Sequence, residues 1–290
     1  GYESAIGDWT YLSPAFEDKM IPMIQRINEA GMKVAIKVDP LICEKNSLLY
    51  QHHPEWILKT KSGKPYIMKA NKYGEKNIYI LDVYSESFQE YLRTMFDTMI
   101  EWGVDIFWLG SLYTGGILPY VNWSRAKTMD GTMKTLNQLV QGKEIIADEL
   151  PISIAANNCD YCCVTPKATR TWIGDSNKAG IREKNSTLNA ICSLILRRMY
   201  NNKGFSAVSY LCHLTKKHNE LTELQRSMLL QVAQIFGGLT LLSETISSLP
   251  KEGYETVRSL FPKKKATILS AMEYDKNVFV CRFKLGLFEY

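Results

Sequence analysis

EWGVDIFWLGSLYTGG, residues 101–116, runs from a polar helix end through a short apolar stretch into a loop rich in small residues. An apolar run of this length, entered from a helix and left through small residues, reads as a buried parallel strand over VDIFWLGS (104–111). In a parallel α/β fold the functional groups gather where such strands end. At the end of this one stand Trp108 and Gly110. Side chains alternate along a strand, so Asp105 has the opposite parity from both and lies at the other end.

The same alternation of helix and strand extends in both directions. Phe16, Met20, Met23, Ile24 and Ile27 recur at helical spacing before Gly31, and MKVAIKVDP (32–40) follows as a strand closed by Pro40. NIYILDV (77–83) is the next expected strand, with an amphipathic helix over Phe88, Tyr91, Leu92, Met95, Phe96 and Met99. A helix near 125–141 leads to the strand EIIADELPISIAA (144–156), and a short cysteine-rich connection leads to ATRTWIGD (168–175), read as another strand. Leu188 to Met199 give a helix and GFSAVSYLC (204–212) a strand. Thr222 with Gln225 forms a capping box ahead of a further helix, and GGLTLLSE (237–244) closes the series.

Seven expected strands are one fewer than a (β/α)8 barrel of about 250 residues requires. The missing strand is expected just before Gly1, because the series after it runs without a gap. From about residue 263 the pattern changes to alternating, hairpin-like β over ATILSAMEYD and NVFVCRFKLGLFEY. The expected organisation is a barrel over 1–262 and the beginning of a small β-sandwich-like domain over 263–290.

The 290 residues are 46% hydrophobic and 22% charged, enough for a full core. The net charge of +5 comes from scattered lysines with one short run at 263–265, so neither nucleic acid nor a membrane surface is an expected partner. No apolar run approaches the ~18 residues of a membrane span. Seven cysteines without a disulfide spacing favour a reducing compartment, taken as the cytoplasm. Cys159, Cys162 and Cys163 form a weak alternative metal site that lacks a fourth ligand. No cofactor is expected, since no glycine-rich phosphate loop is present.

IGDW (6–9), INEAGMKVAIKVDPLICEKNSLLYQHHPEWIL (27–58), IYILDVYSESFQEYL (78–92), EWGVDIFWLGSLYTGGILP (101–119) and GGLTLLSETISSLP (237–250), taken in order, resemble the barrel segments of the α-galactosidases (melibiases) of glycoside hydrolase family 36. The resemblance implies a (β/α)8 TIM-type barrel whose first strand ends in an aspartate pair directly ahead of Gly1-Tyr2. It implies a Lys-x-Asp on the fourth strand, the aspartate being the nucleophile, and here those positions are Trp108 and Gly110. On the sixth strand Asp175 matches the acid/base carboxylate, with Arg170 and Trp172 beside it, although a turn aspartate is the alternative reading of Asp175. Where the family presents a tryptophan on the second strand this chain has Lys37, while Asp39 and Asp82 remain compatible with the family, and Asp8 and Trp9 stand in IGDW. The seventh-strand stretch FSAVSYLC (205–212) lacks the expected aspartates.

A retaining glycosidase needs two carboxyl groups about 5 to 5.5 Å apart. The expectation is therefore an α-galactosidase-like domain that has lost its nucleophile and at most binds a saccharide, in the first place an α-galactoside. Two alternatives stand beside it. One is an active retaining α-galactosidase whose nucleophile comes from elsewhere, such as Glu44 or Asp82. The other is a structural fragment completed by an upstream segment or by a second copy of itself.

Overall fold

The computed structural model describes residues 5–69, 77–165, 168, 171–173, 186–197, 205–211, 220–242, 246–261, 266–275 and 278–290. The chain divides into two compact units, Gly1–Asp160 and Tyr161–Tyr290.

The first unit begins with α1 (Met20–Glu29), which ends where Gly31 takes φ +76° and turns the chain into β1 (Ala35–Val38). Next come β2 (Ile42–Glu44), α2 (Leu48–His52), β3 (Ile67–Lys69) and β4 (Asn77–Ile80). Then follow α3 (Glu86–Glu101), β5 (Ile106–Leu109), α4 (Arg125–Leu139), β6 (Glu144–Ala147) and the short α5 (Ile152–Ala155). β1, β5 and β6 are parallel and in register, with Lys37 opposite Trp108 and Trp108 opposite Ile146. α3 turns Phe88, Leu92, Met95, Phe96 and Met99 inward, and Phe96 meets Phe107 of β5 edge to face with centroids 4.9 Å apart. Burying side chains of this size contributes about 1.5–3 kcal/mol each. Because Phe107 turns toward α3, Trp108 and the residues in its row project from the opposite face of the strands.

NIYILDV is not a parallel strand. β4 is the middle of an antiparallel sheet ordered β2-β4-β3, with Ile42 opposite Ile80 and Ile67 opposite Tyr79. Its apolar run has the look of a barrel strand because it is buried from Ile78 to Ile80, and burial leaves the same trace whichever partner a strand pairs with.

The second unit holds β7 (Tyr161–Cys163), α6 (Thr187–Leu196), β8 (Ser206–Leu211), α7 (Glu223–Phe236), β9 (Leu239–Leu242) and α8 (Lys251–Arg258). β7, β8 and β9 are parallel neighbours. The strand expected over 168–175 is displaced: residues 171–173 form a bend, and the cysteine-rich stretch read as a connection is β7 itself. The capping box is present, Thr222 Oγ1 accepting from Gln225 N at 3.2 Å and Gln225 Oε1 accepting from Thr222 N at 2.9 Å. β10 (Ala266–Asp275), β11 (Val278–Leu285) and β12 (Phe288–Glu289) then make an antiparallel meander, as the alternating pattern predicts. The expected domain limit at 262/263 lies outside the described residues. Among the described residues no helix is long and apolar enough to cross a membrane.

Candidate functional site

The site is built where β1, β5 and β6 end. The residues that follow the last paired positions are Asp39, Gly110 and Asp148, tied together by Gly110 N donating to Val38 O at 2.9 Å and Asp148 N donating to Leu109 O at 2.8 Å. They share parity with Lys37, Trp108 and Ile146, so the six positions form two layers on one face of three strands.

Gly110 has no side chain, yet its place is not empty. A Cβ built on it would lie 1.8 Å from Asp39 Oδ1, 3.0 Å from Asp39 Cγ and 3.5 Å from Lys37 Cε. Asp39 is fully buried. The carboxyl group of the neighbouring strand therefore fills the volume that a side chain on β5 would use. Lys37 Nζ reaches Asp148 Oδ2 at 3.3 Å and lies 4.4 Å from the centroid of the Trp108 ring, with the Lys37 and Asp148 side chains 24% and 14% exposed. Such an ion pair with a cation–π contact holds the ammonium flat over the indole.

Both turns that leave this face are bent into the left-handed region at non-glycine residues, Ser111 at φ 52° and Glu149 at φ 59°. Leu112 N donates to Asp148 O at 3.4 Å, joining the turns. Left-handed backbone at such residues costs about 1–3 kcal/mol and gathers at functional sites. Tyr113 stands beside them. Burial first, then the charges of Glu149 and Asp39, push its phenol above the usual tyrosine range.

The sequence-expected residues fall in several places. Lys37, Asp39, Trp108 and Gly110 come together as described. Where the family resemblance leads one to expect a tryptophan at 37 and a lysine at 108, this chain has Lys37 and Trp108, and the register sets them face to face. Asp8 lies elsewhere: its carboxylate accepts from Leu48 N at 2.8 Å and Leu49 N at 3.1 Å, capping the first turn of α2. Trp9 is buried. Asp82 accepts from Tyr84 N at 3.0 Å and borders a separate cleft of about 270 Å³ with Leu58, Tyr84, Leu118 and Tyr120. Asp105 accepts from Val34 N at 3.0 Å at the start of β5, the end its parity predicts. Trp172 is half-buried in the bend at 171–173, and Arg170 and Asp175 lie outside the described residues.

Cys162 and Cys163 follow each other on β7 and so face opposite sides, which separates them as ligands of one ion. Cys159 Sγ donates to Ala155 O at 3.5 Å. Among the described residues no group of three histidine, cysteine or acidic side chains is placed to hold a metal.

Sequence reasoning missed Asp148, Glu149 and Tyr113. Reading the strand as 144–156 left Asp148 in its middle, whereas β6 stops at Ala147 and makes Asp148 its end residue. The available signal was parity with Ile146 in EIIAD.

Comparison with known proteins follows the same line. Residues 2–109 match the family model described as Melibiase. The bifunctional alpha-galactosidase/sucrose kinase of Mediterraneibacter gnavus is 32% identical over 62 residues, 21% of this chain and 7% of that protein. Alpha-galactosidase 2 of Pediococcus pentosaceus is 25% identical over 101 residues, 35% of this chain and 13% of that protein. The solved structure of the alpha-galactosidase from Thermus thermophilus in complex with stachyose superposes with a TM-score of 0.80 at 20% identity, covering 91% of this chain and 57% of that one. The chain thus spans a small part of the curated relatives it matches and little over half of that solved chain. The fold is a partial (β/α) barrel of the TIM type followed by a small antiparallel sheet. The N-terminal segment 2–109 is thus similar to the Melibiase family, and the fold as a whole is that of solved alpha-galactosidases.

Proposed function

We propose that this chain is an α-galactosidase-like domain that recognises a saccharide, in the first place a terminal α-galactoside, without forming a covalent glycosyl intermediate. The observation that carries this is the filled place at Gly110. A covalent mechanism needs a carboxylate that the anomeric carbon can reach, and the group occupying that volume, Asp39, is wholly buried. Lys37 and Trp108 are only partly covered, so a donor and an aromatic face remain for hydroxyl and C–H contacts. The ligand class is taken from the relatives: solved alpha-galactosidases of Thermus thermophilus are complexes with stachyose and with p-nitrophenyl alpha-D-galactopyranoside. The cytoplasm is the proposed compartment, supported by seven cysteines whose spacing follows no disulfide framework.

The test is incubation with p-nitrophenyl α-galactoside alongside calorimetric titration with galactose. Saturable heat without release of nitrophenol is expected. Turnover that Asp175→Asn or Asp39→Asn abolishes would reject the reading.

One observation favours a second reading, an active retaining hydrolase. Asp39 Oδ1 lies 1.8 Å from where a Cβ of residue 110 would be, so a carboxylate is offered at the expected level from the adjacent strand. On that reading substrate entry uncovers Asp39, and turnover is lost in Asp39→Asn while galactose binding persists.

A further inference from the structure

The cleft beside Asp82 is bordered by none of the residues that build the strand-end site. Leu58, Leu81, Leu118 and Val121 give it apolar walls, and along one side Tyr84 stacks on Tyr120 with centroids 4.1 Å apart. Trp123 meets both rings edge on, at 5.9 Å and 5.6 Å, so the aromatic wall is fixed before a ligand arrives. Val121, exposed at the rim, is a β-branched residue held at φ 46°, a conformation that costs energy and collects at ligand clamps. The polar groups of the cleft are one-sided. The hydroxyl protons of Tyr84, Thr114 and Thr128 are spent inside the protein, on Thr128 O at 2.6 Å, Ser111 O at 2.7 Å and Ser124 O at 3.0 Å. Asp82 differs: a carboxylate has about four lone-pair sites, and among the described residues its oxygens accept from Tyr84 N alone, at 3.0 Å. Among the described residues no lysine or arginine pairs with it. Two cations of the adjoining segment are engaged elsewhere, Arg125 Nε donating to Gly116 O at 2.9 Å and Lys127 Nζ lying 4.6 Å from the centroid of Trp123. The charge of Asp82 faces the tyrosine wall: burial first pushes the Tyr84 phenol up, and Asp82 adds to it.

We propose that this cleft binds a small organic amine in its ammonium form, with the apolar body between the leucines and the tyrosine wall and the ammonium donating to the Asp82 carboxylate. The assignment stands apart from the saccharide reading, since no group of the strand-end site takes part in it. An ammonium brings both things the cleft lacks, donor protons and positive charge. A neutral alcohol fills the same walls with one donor and no charge, and a carboxylate meets Asp82 as a like charge. Apolar walls beside a half-buried carboxylate strengthen the pair, because the shielding of water is reduced there. A volume of about 270 Å³ lies at the small end of ligand clefts, which suits a fragment-sized amine.

The test is ligand-observed NMR titration of the whole chain with three probes of one shape, 2-phenylethylammonium, 2-phenylethanol and 3-phenylpropionate. The ammonium is expected to bind saturably, the alcohol about tenfold more weakly and the carboxylate more weakly still. Asp82→Asn keeps an oxygen to accept from Tyr84 N and so leaves the turn intact while removing the charge. In that variant the ammonium is expected to fall to the level of the alcohol and the carboxylate to rise toward it. Tyr120→Ala removes one wall and is expected to weaken all three probes together, which places the binding in this cleft. Nα-acetyl-lysine amide presents its ammonium as a protein side chain does and is expected to bind more weakly than the aryl ammonium. Equal binding of the three probes, an ammonium preference that survives Asp82→Asn, or no saturation by the ammonium up to about 10 mM overturns the inference. Tighter binding of the lysine amide than of the aryl ammonium overturns the small-molecule assignment in favour of a protein side chain.

Discussion

Replacing Gly110 by alanine is the sharpest probe of the site. Its backbone is not in the left-handed region, so the substitution tests space alone. In open space a glycine-to-alanine change of this kind stabilises by about 0.4–1 kcal/mol through the unfolded chain. Here the new methyl would lie 1.8 Å from Asp39 Oδ1 and 3.0 Å from its Cγ, both well inside contact distance. The carboxyl group is fully buried, and Lys37 Cε closes the same space at 3.5 Å, so neither neighbour can yield without repacking. Overpacking of this sort costs about 1–3 kcal/mol, which reverses the sign. Five of the six tryptophans, all but Trp172, lie in the first compact unit, so tryptophan fluorescence during urea unfolding follows the unit concerned. The expected result is a lower midpoint for Gly110→Ala, and a double variant with Asp39→Ala that recovers the loss with a coupling of about 1 kcal/mol or more. A midpoint unchanged or raised by Gly110→Ala, or additive effects of the two substitutions, would refute the claim that Asp39 fills the place.

Other perturbations read other parts of the structure. Asp8→Ala should cost about 1 kcal/mol by uncapping α2 while leaving galactose titration unchanged, which would separate capping from sugar contact; weakened galactose affinity at full folding would return Asp8 to the site. Thr222→Ala removes the capping box of α7 and should lower the stability of the second unit by about 0.5–2 kcal/mol in a circular-dichroism melt. Burial raises the Cys43 thiol from 9.0 to about 12 and the Tyr91 phenol from 10.0 to about 12. Their unfolded forms lose protons that the folded ones keep, so stability should decline as pH rises from about 9 toward 12, and urea midpoints taken across that range should show it. For the same reason Cys43 should resist iodoacetamide at pH 8 in the native chain and react once unfolded.

Much of the architecture could be read from residue patterns. Helices α1, α3, α4, α6 and α7 follow apolar residues at helical spacing, and the C-terminal meander follows an alternating pattern that is interrupted in β10 between Ile268 and Ser270 and between Glu273 and Asp275. What failed was pairing. β4 looks like any buried strand, and the residues that place it in an antiparallel sheet, Ile42 and Ile67, belong to strands of three residues that periodicity cannot detect. β7 failed because cysteines around Tyr161 resemble a loop while Cys162 is completely buried. At the site, the sequence showed that residue 110 carries no carboxylate. It could not show that the carboxyl group of Asp39 reaches across, because that depends on a hydrogen-bond register between segments 71 residues apart, and local pattern carries no trace of it.

The exchange of Lys37 and Trp108 has a consequence for how such proteins diverge. Compared column by column, each position counts as a loss, and two losses suggest decay. Across the parallel strand pair, however, the two positions are neighbours, and in this chain the ammonium and the indole touch at 4.4 Å. A constellation of this kind is inherited by position in space rather than by position along the chain. Drift through such swaps can carry a lineage far from its ancestral motif while the wall of the cavity keeps its chemistry, and distant kin would be recognised by scoring residue pairs across neighbouring strands.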